Sequence, residues 1–61
     1  MNDTIIIEVE ETETVFGKTA RFWKGKSLER QVGLDKVLET MNELTSYYNN
    51  IWGKTVMFTT M

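Results

Sequence analysis

Four glutamates fall within six residues, at Glu8, Glu10, Glu11 and Glu13, with no base among them. On an extended strand, side chains on one face recur every ~6.7 Å. Phosphates along one strand of DNA recur every ~3.4 Å of helix axis, and the winding of the strand lengthens their direct separation. A row of carboxylates on a strand can therefore stand in for a row of phosphates and fit a basic groove. The same residues also suit a solvated strand face, where charge blunts an edge prone to aggregation.

Catalytic chemistry has little to work with. The chain has no His and no Cys, so the commonest general base and the thiol nucleophile are missing. Ser27 and Ser46 have no neighbouring base in the sequence. Gly17-Lys18-Thr19 echoes the end of a phosphate-binding loop, but the first glycine of that motif falls on Thr12. A carboxylate pair needs a cleft that separates two pKa values, and 61 residues leave little volume for one. The expectation is a non-enzyme with no cofactor and no metal site.

Arg21-Phe22-Trp23-Lys24-Gly25-Lys26 has the opposite charge. Interleaved bases and aromatics can hold single-stranded nucleic acid by stacking and phosphate contact. The plainer reading is a hairpin strand whose aromatics pack and whose bases pair across to the glutamates, each pair contributing ~0.2–1 kcal/mol. Residues 1–16 hold five acids and no base, residues 17–31 five bases and one acid, and the remainder three acids and two bases. Such segregation steers association with charged partners.

These groups need elements to position them. Residues Thr4 to Val15 are rich in β-branched side chains, and Ile5, Ile7 and Val9 share one strand face. Beyond Val9 that face carries Glu11 and Glu13. Either the strand outruns the core there, or a bulge near Glu10-Glu11 turns Thr12, Thr14 and Phe16 inward. Gly17-Lys18 reads as a turn and residues 19–23 as a second, antiparallel strand. Ser27 reads as a helix N-cap with Glu29 in the first turn. Leu34, Val37, Leu38, Met41, Leu44 and Tyr48 then recur at helical spacing, and Asn49-Asn50 ends the helix. Tyr47, Tyr48, Ile51 and Trp52 crowd that end, mostly as core. Residues 55–60 read as a third strand. The predicted fold is α+β: a three-stranded antiparallel sheet in β-β-α-β order with one helix packed on it, a single domain over residues 1–61.

A chain this short buries only ~60% of its unfolded surface, and no disulfide or zinc site can staple it. An exposed sheet edge invites a second copy, so a homodimer is expected. The polar, acidic start Met1-Asn2-Asp3-Thr4 lacks the positive region of a secretory signal. The longest apolar run is Ile5-Ile6-Ile7, so a soluble, cytoplasmic protein is expected.

The stretch from the Gly17-Lys18 turn through Lys24-Gly25-Lys26-Ser27-Leu28 resembles the short uracil-DNA glycosylase inhibitors of small protein-primed tailed phages, over about a fifth of the chain. That family is also tiny, acidic and free of cysteine. The resemblance implies a homodimer that plugs the glycosylase's DNA cleft in the host cytoplasm. An apolar pocket would capture the enzyme's minor-groove wedge residue, and carboxylates would stand in for phosphates. Burying an exposed apolar side chain is favourable by ~1.5–3 kcal/mol. Where the family carries an acid between the aromatics of its second strand, this chain has Arg21. The expected contact carboxylates are Glu8, Glu10, Glu11, Glu13 and Glu29, and the expected pocket residues are Leu34, Val37, Leu38 and Met41, with Trp23 as a separate, outlying candidate. The rival expectations are an inhibitor of another DNA-binding defence enzyme, such as a restriction or guided nuclease, and a small single-stranded nucleic-acid binder.

Overall fold

The computed structural model describes residues 3–61, so the first two residues of the polar start lie outside the described residues. Strand β1 (Thr4–Thr14), β2 (Gly17–Lys24) and β3 (Ser27–Gly33) form consecutive antiparallel pairs. A 3-10 turn (Leu34–Lys36) leads into helix α1 (Val37–Trp52), and β4 (Thr55–Thr60) closes the chain. The sheet order is β3-β2-β1-β4, with β4 parallel to β1. Helix α1 crosses one face of the sheet and carries the chain from one edge to the other. The architecture is α+β, one helix on a four-stranded mixed sheet. Among the described residues no helix is long and apolar enough to cross a membrane, which says nothing of a β-barrel.

Three local expectations are corrected. Ser27 is not a helix cap: it opens β3, opposite Lys24. The two-residue loop Gly25-Lys26 has Gly25 at φ 64°, and glycine at the first loop position suits a tight hairpin. The sheet is therefore four-stranded, and the last strand runs parallel because the helix returns the chain to the end where β1 begins. The helix runs past Asn49-Asn50 to Trp52, where Gly53 takes up left-handed φ 63° and its N–H reaches the Asn49 carbonyl at 3.0 Å.

Alternation decides the core. Ile5, Ile7 and Val9 of β1 face the helix with their register partners Val56 and Phe58 of β4 and Phe22 of β2, and Ala20 of β2, opposite Glu11, joins them. Ile7 and Phe22 are fully buried, and Leu44 and Tyr48 of α1 close over them. Phe22 and Phe58 meet edge to face at 6.2 Å between centroids. β1 keeps its register with β2 unbroken to Thr14↔Gly17. The bulge alternative fails, and the strand outruns the core. Among the described residues the register shifts in the β2–β3 pairing at Phe22/Trp23, where Glu29 is the extra residue.

Candidate functional site

The β1–β2 hairpin projects beyond the helix as an arm. Its tip is the two-residue loop Val15-Phe16, both residues almost wholly exposed. Thr14 holds the tip: its hydroxyl oxygen accepts from the Phe16 N–H at 3.1 Å and donates to the Gly17 carbonyl at 3.0 Å. Below the tip, strand alternation splits the four glutamates. Glu8 and Glu10 lie on the open face of the sheet, away from the helix. Glu11 and Glu13 lie on the helix side, past the last core residue, and both are exposed. Each face thus carries a pair ~6.7 Å apart rather than a row of four.

The four are not equivalent. Glu10 is engaged: the Trp23 indole Nε1 donates to its Oε1 at 2.9 Å, and Arg21 Nη1 stands 4.0 Å away. Glu13 stands opposite Lys18 in the register. Glu8, Glu11 and Glu13 make no ion pair among the described residues. A shallow recess of about 230 Å³ between Glu11, Thr12, Glu13 and Lys18 marks the arm's helix-side face.

Glu29 does not join this arm. It sits in β3, half-buried, and accepts a hydrogen bond from the Tyr48 hydroxyl. Burial, and then the Glu29 carboxylate beside it, push the Tyr48 phenol up to about 12 from its ordinary 10. Glu29 is therefore held beneath the helix as the acceptor for Tyr48, away from the arm.

The four pocket residues do not line one hollow. Val37 and Met41 pack against the core. Leu34 belongs to the 3-10 turn that precedes the helix, and Leu38 lies on the helix flank with 76% of its surface exposed. Trp23 is on the opposite face of the sheet, level with Glu8 and Leu28. A concavity of about 570 Å³ lies instead at the far end of the molecule from the arm's tip. Ile5, Leu44, Tyr47, Tyr48 and Trp52 supply its apolar walls, with Lys24, Glu29, Arg30 and Lys54 around it. Lys24 Nζ sits 5.5 Å above the Tyr48 ring. Arg30 is 3.6 Å from Glu43. The sequence signal for this groove was the aromatic crowding at the helix end. Only Tyr48 went to the core, leaving Tyr47 and Trp52 half-exposed.

The basic-aromatic segment is divided too. Phe22 is fully buried and Trp23 is bound to Glu10. Arg21 and Trp23 lie on one face of the sheet, Phe22 and Lys24 on the other. A continuous stacking platform cannot form from residues that alternate through the sheet.

No protein-family model, curated protein or solved structure matches this chain. Among the described residues no group of three or more acidic side chains is placed to hold a metal ion.

Proposed function

We propose that this protein is an inhibitor that presents the acidic arm of its β1–β2 hairpin to the DNA-binding cleft of an enzyme in the cytoplasm. Uracil-DNA glycosylase is the target that the resemblance at residues 17–28 implies. The observation that carries the reading is the state of the arm: Glu8, Glu11 and Glu13 extend beyond or away from the helix with no cation of their own. Glu8 lies where β1 is an interior strand between β2 and β4, so its charge guards no edge, whereas Glu11 and Glu13 lie past the end of β4 on a segment paired with β2 alone. Unpaired carboxylates keep their full charge for a partner's arginines and lysines, and a water-excluding interface strengthens each such pair.

The groove walled by Ile5, Leu44, Tyr47 and Trp52 takes the part first expected of Leu34, Val37, Leu38 and Met41. Its volume admits one apolar side chain from a partner with room to spare. From Ile5 to Glu13 the strand spans ~26 Å at ~3.3 Å per residue, a length that fits a protein laid along an extended DNA cleft.

The test is uracil excision by a bacterial glycosylase titrated with this protein. Inhibition near equimolar ratio is expected. The double substitution Glu8→Gln, Glu13→Gln should weaken it by about 30-fold, two pairs at ~1 kcal/mol each, without a change in thermal midpoint. Full activity at large molar excess of the unaltered protein would end the glycosylase reading. Capture of a nuclease in its place would move the same arm to another DNA-binding enzyme.

A further inference from the structure

The two edges of the sheet are built differently. β3 carries Glu29 and Arg30 at a bulge, the devices that keep an edge from pairing. β4 reads Thr-Val-Met-Phe-Thr-Thr, six residues with no charge, no glycine, no proline and no register shift against β1. We propose that β4 is the seam of a homodimer, in which two copies pair antiparallel about a two-fold axis at Phe58 to make one eight-stranded sheet. The proposal stands apart from the inhibitor reading and does not need it.

The register follows from the hydrogen bonds β4 has already made. Thr55 N–H donates to the Asp3 carbonyl at 2.8 Å and Met61 N–H to the Val9 carbonyl at 3.0 Å. In a strand, the N–H and C=O of one residue point the same way and alternate along the chain. The odd residues of β4 therefore face β1, and Val56, Phe58 and Thr60 aim their backbone groups outward. Antiparallel hydrogen-bonded pairs must match outward residues with outward residues, and side chains on the same face. Phe58 opposite itself and Val56 opposite Thr60 meet both conditions, and Met57 then faces Thr59 of the second copy on the open side.

Charge supports the same arrangement. Lys54, half-buried just before β4 on the helix side, makes no ion pair among the described residues. In this register Lys54 of the second copy comes level with Glu11, which projects past the end of β4 on the same face. Two strand spacings, ~10 Å, separate their backbones, a gap that one lysine and one glutamate side chain together span. The arm then lies over the second copy, leaving Glu8 and Glu13 free. The exposed Leu38 belongs to this side as well. Glu43 reaches Arg30 of β3, and Leu38 stands roughly 140° round the helix from Glu43 at ~100° per residue, on the flank that overlooks β4.

Sedimentation equilibrium of the full chain at micromolar concentration tests this. A dimer is expected. Thr60→Pro deletes an outward N–H that the single chain does not use, so it should weaken dimerisation roughly 100-fold, one bond in each copy, and keep the circular dichroism of the sheet. The chain has no cysteine, so cross-linking reports the register should Thr60→Pro fail to fold. A mixture of Met57→Cys and Thr59→Cys chains should form an intermolecular disulfide, because a non-hydrogen-bonded antiparallel pair brings its Cα atoms to ~4.5 Å. A monomer at every concentration, a Thr60→Pro dimer as tight as the original, or a cysteine mixture that stays uncoupled would each overturn the proposal.

Discussion

β1 is one strand in one register, yet its two halves do different work. From Ile5 to Val9 the helix-side residues are buried beneath α1, and Ile7 has no exposed surface. From Glu11 to Thr14 the same face of the same strand has no helix above it, and it carries exposed carboxylates. Nothing in the backbone changes at the boundary, since the pairing with β2 runs through without a shift. What changes is the cover. Alternation assigns a residue to a face; whether that face is core or contact surface depends on how far the neighbouring element reaches. Here α1, 16 residues long, spans ~24 Å at ~1.5 Å per residue, and it does not follow the hairpin to its tip.

The largest expected effect lies in the covered half. Phe22, opposite Val9, is a fully buried aromatic of the core cluster that Leu44 and Tyr48 of α1 complete. Phe22→Ala should cost ~3–5 kcal/mol, the usual loss for a core aromatic. Domains hold roughly 0.05–0.15 kcal/mol per residue, so a chain this small has only a few kcal/mol in all, and urea titration followed by circular dichroism should find the variant largely unfolded in water. A folded variant with a normal midpoint would mean that the arm or a second copy, not the helix-covered half, dominates stability.

A smaller effect is expected where the helix meets β3. Tyr48→Phe removes the donor that satisfies the half-buried Glu29 carboxylate, at a cost of ~1–3 kcal/mol for an acceptor left unpaired. This contact also has a pH signature. Folding holds the Tyr48 phenol protonated up to about 12, above its ordinary 10, so the protonated form is the one that folding favours. The stability tied to that proton is complete below pH 10 and is lost as pH rises from 10 towards 12. Thermal melts across that window should fall more steeply for the unaltered protein than for Tyr48→Phe. Parallel curves would show that the Tyr48 proton carries no such stability.

The strands β1 and β2 were legible because β-branched alternation and the glycine at residue 17 agree with the tertiary pairing. So was the helical stripe from Val37 to Tyr48, whose positions Val37, Met41, Leu44 and Tyr48 do pack on the sheet. β3 was not legible. Ser27-Leu28-Glu29-Arg30-Gln31 is composed of a capping residue and good helix formers, with Leu28 and Val32 four apart. Pairing with β2 overrides that local preference. The signal that pointed the other way was Gly25-Lys26, a two-residue glycine turn between Trp23-Lys24 and Ser27-Leu28. Misplacing β3 misplaced Glu29, which moved from a helix's first turn to a bulge beneath Tyr48. The acidic arm was found in the sequence, but its division between two faces depends on the absence of a bulge in β1. The groove was legible only along its helix wall, through the crowding of Tyr47 and Trp52, because Lys24 and Arg30 come from two further elements that only the fold brings to it.

The smallest stability effect is expected at the tip of the uncovered half, and it separates contact from fold most cleanly. Val15 and Phe16 are 94% and 96% exposed and touch none of the core. An aromatic ring left in water at a hairpin tip contributes nothing through burial, and the turn itself is held by the Thr14 hydroxyl and the Phe16 backbone N–H, which a substitution at residue 16 leaves in place. Phe16→Ser should therefore change the unfolding free energy by no more than ~0.5 kcal/mol. If the arm enters a partner's cleft, the same substitution removes a side chain that becomes buried only in the complex, and affinity should drop by roughly tenfold, ~1.4 kcal/mol. Calorimetric titration against the target enzyme, run beside a urea melt of the free protein, reads both quantities from one preparation. A loss of stability without a loss of affinity would place Phe16 in the fold and take the tip out of the interface.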